Sequence, residues 1–200
     1  MTKKLFFTLS IITFLASCGT RRNVVQDPAT FDKGVVINGV RWATRNVDTF
    51  GFVQNPEDAG RFFQWNRTIS WCWTYGLIEW EGSIPVGTEW YEKNNPCPFG
   101  WRVPTLEELQ SLYNAIGEWT TQNGVNGRLF GDAPYQIFLP ATGFRHFNDG
   151  ALNLAGEVGY YWSSTQRSST DAMFLWFDSE NSFVGDSRRK NGFNIRCVAK

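Results

Sequence analysis

The sequence predicts an α+β domain, rich in loops, in which small antiparallel sheets accompany one main helix. Three observations predict it. Ten tryptophans stand among the 16% aromatic residues, and 19 glycines are spread through the chain. With few long apolar runs, that composition argues for loop-rich β structure over a helical bundle. One segment, beginning at Pro104, carries a complete helix-start signal. Short β-prone runs bounded by glycine, proline and asparagine recur on both sides of it.

Val35 to Trp42 reads as a tight hairpin, because Asn38-Gly39 between two β-prone runs tolerates the positive φ angles of a type I′ turn. Phe50 to Gly60 reads as a loop, and Arg61-Phe62-Phe63-Gln64-Trp65 as a short aromatic strand. Ile69 to Asn95 scatters tryptophans and glycines without a period, and reads as long loop. Thr105 and Glu108 form a capping box. Leu109, Leu112, Tyr113 and Ile116 follow at the spacing of one helical face, with Gly117 as a stop. Glu107 and Glu108 resemble an acid–base pair, but the first turn of a helix explains them through the helix dipole. Asn123-Gly124 and Asn126-Gly127 mark turns. Gln136 to Pro140 reads as a buried strand, Gly159 to Thr165 and Ala172 to Phe177 as two more. Phe193 to Val198 alternates apolar with polar residues and is expected to end the sheet.

The first residues read as an address. Lys3 and Lys4 precede an apolar stretch from Leu5 to Leu15, too short for the ~20 residues of a bilayer span, and Leu15-Ala16-Ser17-Cys18 closes it with small residues. This pattern looks like a bacterial lipobox. It implies a signal peptide over residues 1–17, a diacylglyceryl thioether on Cys18 and an acyl chain such as palmitate on the new amino terminus. Several chains together make a stable membrane anchor. Gly19, rather than an aspartate, favours the outer membrane. The absence of an acidic run after it leans toward the periplasmic side. Residues 18–33 then form the lipidated cysteine and a polar tether, and residues 34–200 one domain. Formal net charge is +0, so no basic field draws nucleic acid.

Of the remaining cysteines, Cys97 and Cys197 each sit beside a compact patterned segment and are expected to pair outside the reducing cytosol. Cys72 is then left over, as a buried thiol or an intermolecular partner.

Several ordered motifs resemble one family. They are Gly39-Val40-Arg41-Trp42-Ala43-Thr44-Arg45-Asn46-Val47, Gly60-Arg61-Phe62-Phe63-Gln64-Trp65-Asn66-Arg67 and Cys97-Pro98-Phe99-Gly100-Trp101-Arg102-Val103-Pro104-Thr105. Further on come Gly124-Val125-Asn126-Gly127-Arg128, Leu139-Pro140-Ala141-Thr142-Gly143-Phe144-Arg145, Tyr161-Trp162-Ser163-Ser164-Thr165 and Gly192-Phe193-Asn194-Ile195-Arg196-Cys197. Together they are similar to the Fibrobacter succinogenes major paralogous domain of Bacteroides-type lipoproteins, from about Val35 to Val198. The resemblance implies a C-type-lectin-like fold related to formylglycine-generating enzymes, and it implies no firm activity.

The enzymatic relatives hold copper with two cysteines, and a Cys97–Cys197 bridge leaves Cys72 unable to supply that site alone. His146 is the single histidine, it sits in a segment, Phe144 to Gly150, that reads as a turn, and no nucleophile elbow or phosphate loop is present. No catalysis and no cofactor are expected. Calcium-binding lectins of this fold carry a proline tripeptide that is missing here. Asp171, Asp178, Glu180 and Asp186 therefore read as a solvated loop face rather than a metal site. The expectation is a noncatalytic binding domain whose partner is a protein or a carbohydrate. Its candidate ligand-binding residues are Arg167, Asp171, Trp176, Asp178, Glu180, Asn181, Arg188, Arg189 and Asn191, because tryptophan stacks on sugars or anchors interfaces and arginine forks onto carboxylates. Trp162 is expected in the core. Trp176 is left open, since its direction depends on a strand register that sequence does not give. The alternatives are a structural envelope lipoprotein and a degenerate formylglycine-generating-type enzyme.

Overall fold

The computed structural model describes residues 31–49, 51–74, 78–115 and 117–200. The expected signal peptide, Cys18 and most of the expected tether lie outside the described residues, as does Ile116. Packing already includes Asp32, inside the expected tether. Its buried carboxylate accepts from Gly34 N, Thr44 N and the Thr44 hydroxyl and pairs with Arg45.

β1 (Val35–Ile37) and β2 (Val40–Trp42) form the expected hairpin, with Asn38 at φ 48° and Gly39 at φ 81°, the left-handed pair that a type I′ turn requires. The loop that follows contains a second, minimal hairpin, β3 (Val47–Asp48) with β4 (Gly51–Phe52). β5 (Phe62–Phe63) lies in the expected aromatic strand and pairs with β6 (Ser70–Trp71). From there to Asn95, the only further regular element among the described residues is a 3-10 turn at Glu92–Asn94.

β7 (Trp101–Arg102) leads into α1 (Leu106–Tyr113). Both halves of the capping box are made: Glu108 N donates to the Thr105 hydroxyl at 3.3 Å, and Thr105 N donates to the Glu108 carboxylate at 2.8 Å. The same carboxylate takes a two-pronged pair from Arg102 at 2.7 and 2.6 Å, so one side chain caps the helix and fastens it to β7. Leu109 and Leu112 are buried, whereas Tyr113 is exposed.

β8 (Gly117–Gln122), β9 (Val125–Phe130) and β10 (Ile137–Pro140) form a meander turning at Asn123-Gly124, as expected. Asn126-Gly127, expected as a turn, lies inside β9. Glycine serves close approach there: a Cβ on Gly127 would meet the Leu139 carbonyl and stand 2.5 Å from the Phe138 ring. β11 (Phe144–Arg145) and β12 (Leu152–Asn153) pair across the segment expected to be only a turn. β13 (Gly159–Gln166), β14 (Asp171–Phe177) and β15 (Ser182–Arg188) form an antiparallel sheet in chain order. β16 (Val198–Ala199) joins β1, β2 and β7 in a four-stranded sheet of order β1-β2-β16-β7.

The expected terminal strand is corrected too. Every residue from Asn191 to Val198 is buried, so there is no alternation, and single bridges to Phe63, Arg145 and Tyr161 hold the segment. Its polar side chains are tolerated because they are satisfied internally. Asn194 Nδ2 donates to Ala59 O and Arg61 O, and Arg196 donates to Asn46 Oδ1, Ala43 O and Phe138 O.

Among the described residues, strand makes up 39% and helix 7%. The fold is therefore β-rich, and the expected α+β, C-type-lectin-like class built around a main helix is corrected. The reason is length: an eight-residue helix buries two leucines and covers one patch, so the small sheets must bury the rest. One core cluster gathers Trp65, Trp101, Trp162, Phe174 and Phe193 around the Cys97–Cys197 disulfide. The other packs Leu109 and Leu112 against Trp42, Phe130, Tyr161, Leu175 and Phe177. The β13–β14 ribbon separates the two, giving Trp162 and Phe174 to one face and Tyr161, Leu175 and Phe177 to the other. The expected Cys97–Cys197 bridge is present, and no described cysteine is free. No helix among the described residues is long and apolar enough to cross a membrane.

Candidate functional site

Register decides what the β13–β15 sheet presents. Trp176 pairs with Tyr160 on one side and with Phe183 on the other, so the three side chains share a face. The Trp176 and Phe183 rings lie 4.9 Å apart, and Tyr160 continues to Phe144 at 4.9 Å. Inward, Tyr160 stacks on Phe174 and Phe174 meets Phe193. The inner end of this face is core; the outer end is not, and Phe183 is 45% exposed. Trp176 is half-buried between them, which resolves the open direction as a rim position. Burial raises the Tyr160 hydroxyl above its ordinary value, against a hydrogen bond from Trp176, so it is neutral at physiological pH.

The nine expected ligand-binding residues divide. Arg167, Glu180, Asn181 and Arg188 are exposed. Arg167 Nε stands 3.9 Å from Asp186 Oδ1 with both side chains largely in solvent, a weak pairing. The Arg188 guanidinium lies 4.1 Å from the centre of the Phe147 ring. Asp171 and Asp178 are half-buried and shape turns. The Asp171 carboxylate accepts from the Ser168 and Thr170 hydroxyls, and Asp178 Oδ1 accepts from Glu180 N at 2.8 Å and Asn181 N at 2.6 Å.

Arg189 and Asn191 are internal, which corrects their placement on the face. Arg189 is 1% exposed. It donates to Pro85 O at 3.3 Å, Gly87 O at 2.8 Å, Gln166 Oε1 at 2.9 Å, Asp171 O at 3.3 Å and also to Ser168 O. Its guanidinium lies 4.2 Å from the Trp65 ring centre. It fastens the long loop to the β13–β14 turn. Asn191 donates to the Ser187 hydroxyl at 2.9 Å, bracing the turn after β15.

Sequence reading missed two companions of Arg189. Arg145 is fully buried and donates to Gly150 O, Cys72 O and Thr74 O; Arg196 is buried likewise. Burial, with a further push from Arg61 in the first case, lowers Arg145 to about 10, and burial lowers Arg196 to about 10 against the attraction of Tyr161. Both stay charged at neutral pH. Burial raises Tyr161 in turn to about 12. Such groups in a cleft would suggest chemistry, but backbone oxygens surround these three guanidiniums, which makes them structural ties.

Phe183, Tyr160 and Phe144 were also missed. Ser182 to Arg188 is too polar to read as a strand, and without β15 nothing places Phe183 beside Trp176. His146 packs on Phe147 with ring centres 4.3 Å apart, and its Nδ1 stands 3.6 Å from Asp149. Among the described residues no histidine, cysteine and carboxylate group is assembled for a metal.

A family model described as Domain of unknown function (DUF8237) matches residues 118–198, from β8 to the start of β16 and including the whole aromatic face. No curated protein and no solved structure is significantly similar to the chain.

Proposed function

We propose that the chain is a noncatalytic lipoprotein of the bacterial envelope whose β-rich domain binds a protein or carbohydrate ligand at the Phe183–Trp176 end of the β13–β15 sheet. In this reading Cys18 carries the acyl chains, and the membrane contact is the lipid anchor at the outer membrane, with the domain toward the periplasm. The motifs from Gly39 to Cys197 ally it with the Fibrobacter succinogenes major paralogous domain. One observation carries the binding claim: the half-exposed Phe183 ring lies on Trp176 in a continuous row with Tyr160 and Phe144. Isolated surface phenylalanines are ordinary, whereas a contiguous aromatic rim offers stacking area to a sugar ring or an apolar anchor. Arg167, Glu180, Asn181 and Arg188 supply exposed polar groups on the turns and end of the same sheet.

The burial of Arg189 and Asn191 favours a second reading, a structural envelope lipoprotein without a specific ligand. The degenerate-enzyme reading needs a second cysteine beside Cys72, and Cys97 and Cys197 are paired with each other. Binding of the full acylated protein, in detergent, to a glycan panel and to envelope proteins separates the first two. Binding that survives in the wild type and is lost in Trp176→Ala and Phe183→Ala supports recognition. Binding to nothing, by protein with a native near-ultraviolet circular dichroism spectrum, moves the assignment to the structural role.

A further inference from the structure

A concave site apart from that aromatic rim is built from different residues. Ile69, Trp71, Glu79, Trp80 and Glu81 line a groove of about 440 Å³. Its two indoles are fixed: the rings are 4.2 Å apart, Trp71 Nε1 donates to Glu79 O at 2.7 Å, and Trp80 Nε1 donates to Phe147 O at 3.1 Å. Trp80 also rests on glycine backbone. A Cβ on Gly150 would come 2.5 Å from its ring, and one on Gly192 would come 2.9 Å from it. Neither glycine can be replaced without moving the indole, so the aromatic wall is set before any ligand arrives.

Charge gives the groove its selectivity. Glu81 is oriented by Ser83 N at 2.9 Å and pairs with Arg67 at 3.5 Å. Arg67 is itself held by the Ser83 carbonyl and hydroxyl. Glu79 is exposed, and its carboxylate has no hydrogen bond or ion pair among the described residues. Of the surrounding cations, Arg188 and Lys190 lie over the Phe147 ring at 4.1 and 6.0 Å, Arg61 donates to the Ser70 hydroxyl at 3.1 Å, and the buried Arg145 donates to the Cys72 and Thr74 carbonyls. The lining itself thus combines two tryptophans with two carboxylates and holds no cation, and Arg67 pairs with Glu81 from outside it. Tryptophan faces attract cations more strongly than other rings, and a desolvated alkylammonium gains most.

We infer that the Trp71–Trp80 groove binds an organic ammonium group, with Glu79 as its counter-ion and the indoles as its wall. The group is either a primary ammonium, as on a lysine side chain, or a quaternary one, as on a choline headgroup. A neutral sugar would use the indoles but leave Glu79 uncompensated.

The test is titration of the full-length protein, labelled with 5-fluorotryptophan, with choline, with Nα-acetyl-lysine amide and with methyl β-glucoside, read by fluorine NMR. The expected result is saturable shifts of the Trp71 and Trp80 signals with one or both ammonium probes. The tighter of the two names the source. Glu79→Gln, a change at an exposed carboxylate that leaves the fold intact, is expected to weaken that binding about threefold to tenfold, and 0.5 M NaCl to weaken it further. Trp80→Phe is expected to keep a reduced affinity. No shift with either ammonium probe, shifts with the glucoside alone, or ammonium binding unchanged by Glu79→Gln would overturn the inference.

Discussion

Replacing Arg189 with alanine should cost far more than the same change one residue earlier. Arg189 gives five hydrogen bonds and covers the Trp65 ring, at 1% exposure. Its removal does not strand every acceptor, because Ser168 is exposed and Gly87 half-buried, and their carbonyls can regain water. The Pro85 carbonyl is buried, and an unsatisfied buried acceptor costs about 1–3 kcal/mol. Losing the cation over Trp65 removes about 0.5–2 kcal/mol more. The sum is about 1.5–5 kcal/mol. With a urea dependence of about 2 kcal/mol per molar, the unfolding midpoint should fall by about 0.8–2.5 M. Arg188 touches Phe147 from an exposed position, so Arg188→Ala should cost under about 1 kcal/mol. Urea titrations of both variants, followed by tryptophan fluorescence, make the comparison. Arg189→Lys should fall between wild type and alanine, because an ammonium keeps the charge but cannot fork to five acceptors. Equal midpoints for Arg188→Ala and Arg189→Ala would refute the reasoning, since they would mean that Arg189 fastens nothing.

Four further outcomes are expected. Replacing Cys97 and Cys197 together by serine should destabilise by about 4–5 kcal/mol, as the chain-entropy estimate for a loop of this length gives, and calorimetry would detect it as a lower Tm; an unchanged Tm would show the bridge to be idle. Burial pushes the Glu108 carboxyl up, but hydrogen bonds from Arg102 and Thr105 outweigh that and hold it below its ordinary 4.5. The stability it adds is thus complete above that value and lost as pH falls through the lowered folded value, so Glu108→Gln should be less stable at neutral pH and show a shallower acid limb; an acid limb as steep as the wild type's would assign it to another carboxylate. Gly127→Ala should destabilise by about 1–3 kcal/mol through overpacking between β9 and β10, measured in the same urea assay, and a neutral effect would contradict the close approach. Cys18→Ala should leave the protein unacylated by mass spectrometry and absent from the membrane fraction; continued acylation would remove the lipobox from the reading.

What was legible in the sequence was what its neighbours in the chain determine. Asn38-Gly39 needs only its own backbone to turn, and Thr105 with Glu108 caps a helix within one turn. Leu139 and Trp162 announced themselves as core. What needed the fold was less visible. Asn126-Gly127 carries the same letters as a turn, yet the glycine answers a strand passing beside it. Phe193 to Cys197 alternates like a half-exposed strand, but Asn194 and Arg196 find their acceptors in Ala59, Arg61 and Ala43, more than a hundred residues away. Arg189 looked like a ligand residue because basic runs usually face water, and its acceptors are backbone oxygens that no side-chain pattern betrays. Trp176 was placed at the rim only when its cross-strand neighbour, Phe183, was known.

The grip of the buried arginines on peptide oxygens has a consequence for how the molecule can vary. A carbonyl is the same at every position, so Arg189 holds Pro85, Gly87, Ser168 and Asp171 through a feature that none of those residues owns. Arg145 holds Cys72 and Thr74 in the same way. Loops tied through a shared chemical denominator keep their path when their side chains are exchanged, much as a garment pinned at the seam can change its cloth. Substitution at exposed positions such as Val86 is thereby uncoupled from the fastening, whereas Gly87, where a Cβ would stand 2.5 Å from Asn66 Nδ2, and Asp171, which shapes its turn, are held by contacts of their own. The surface such exposed positions present can be rewritten while the frame beneath it stays put.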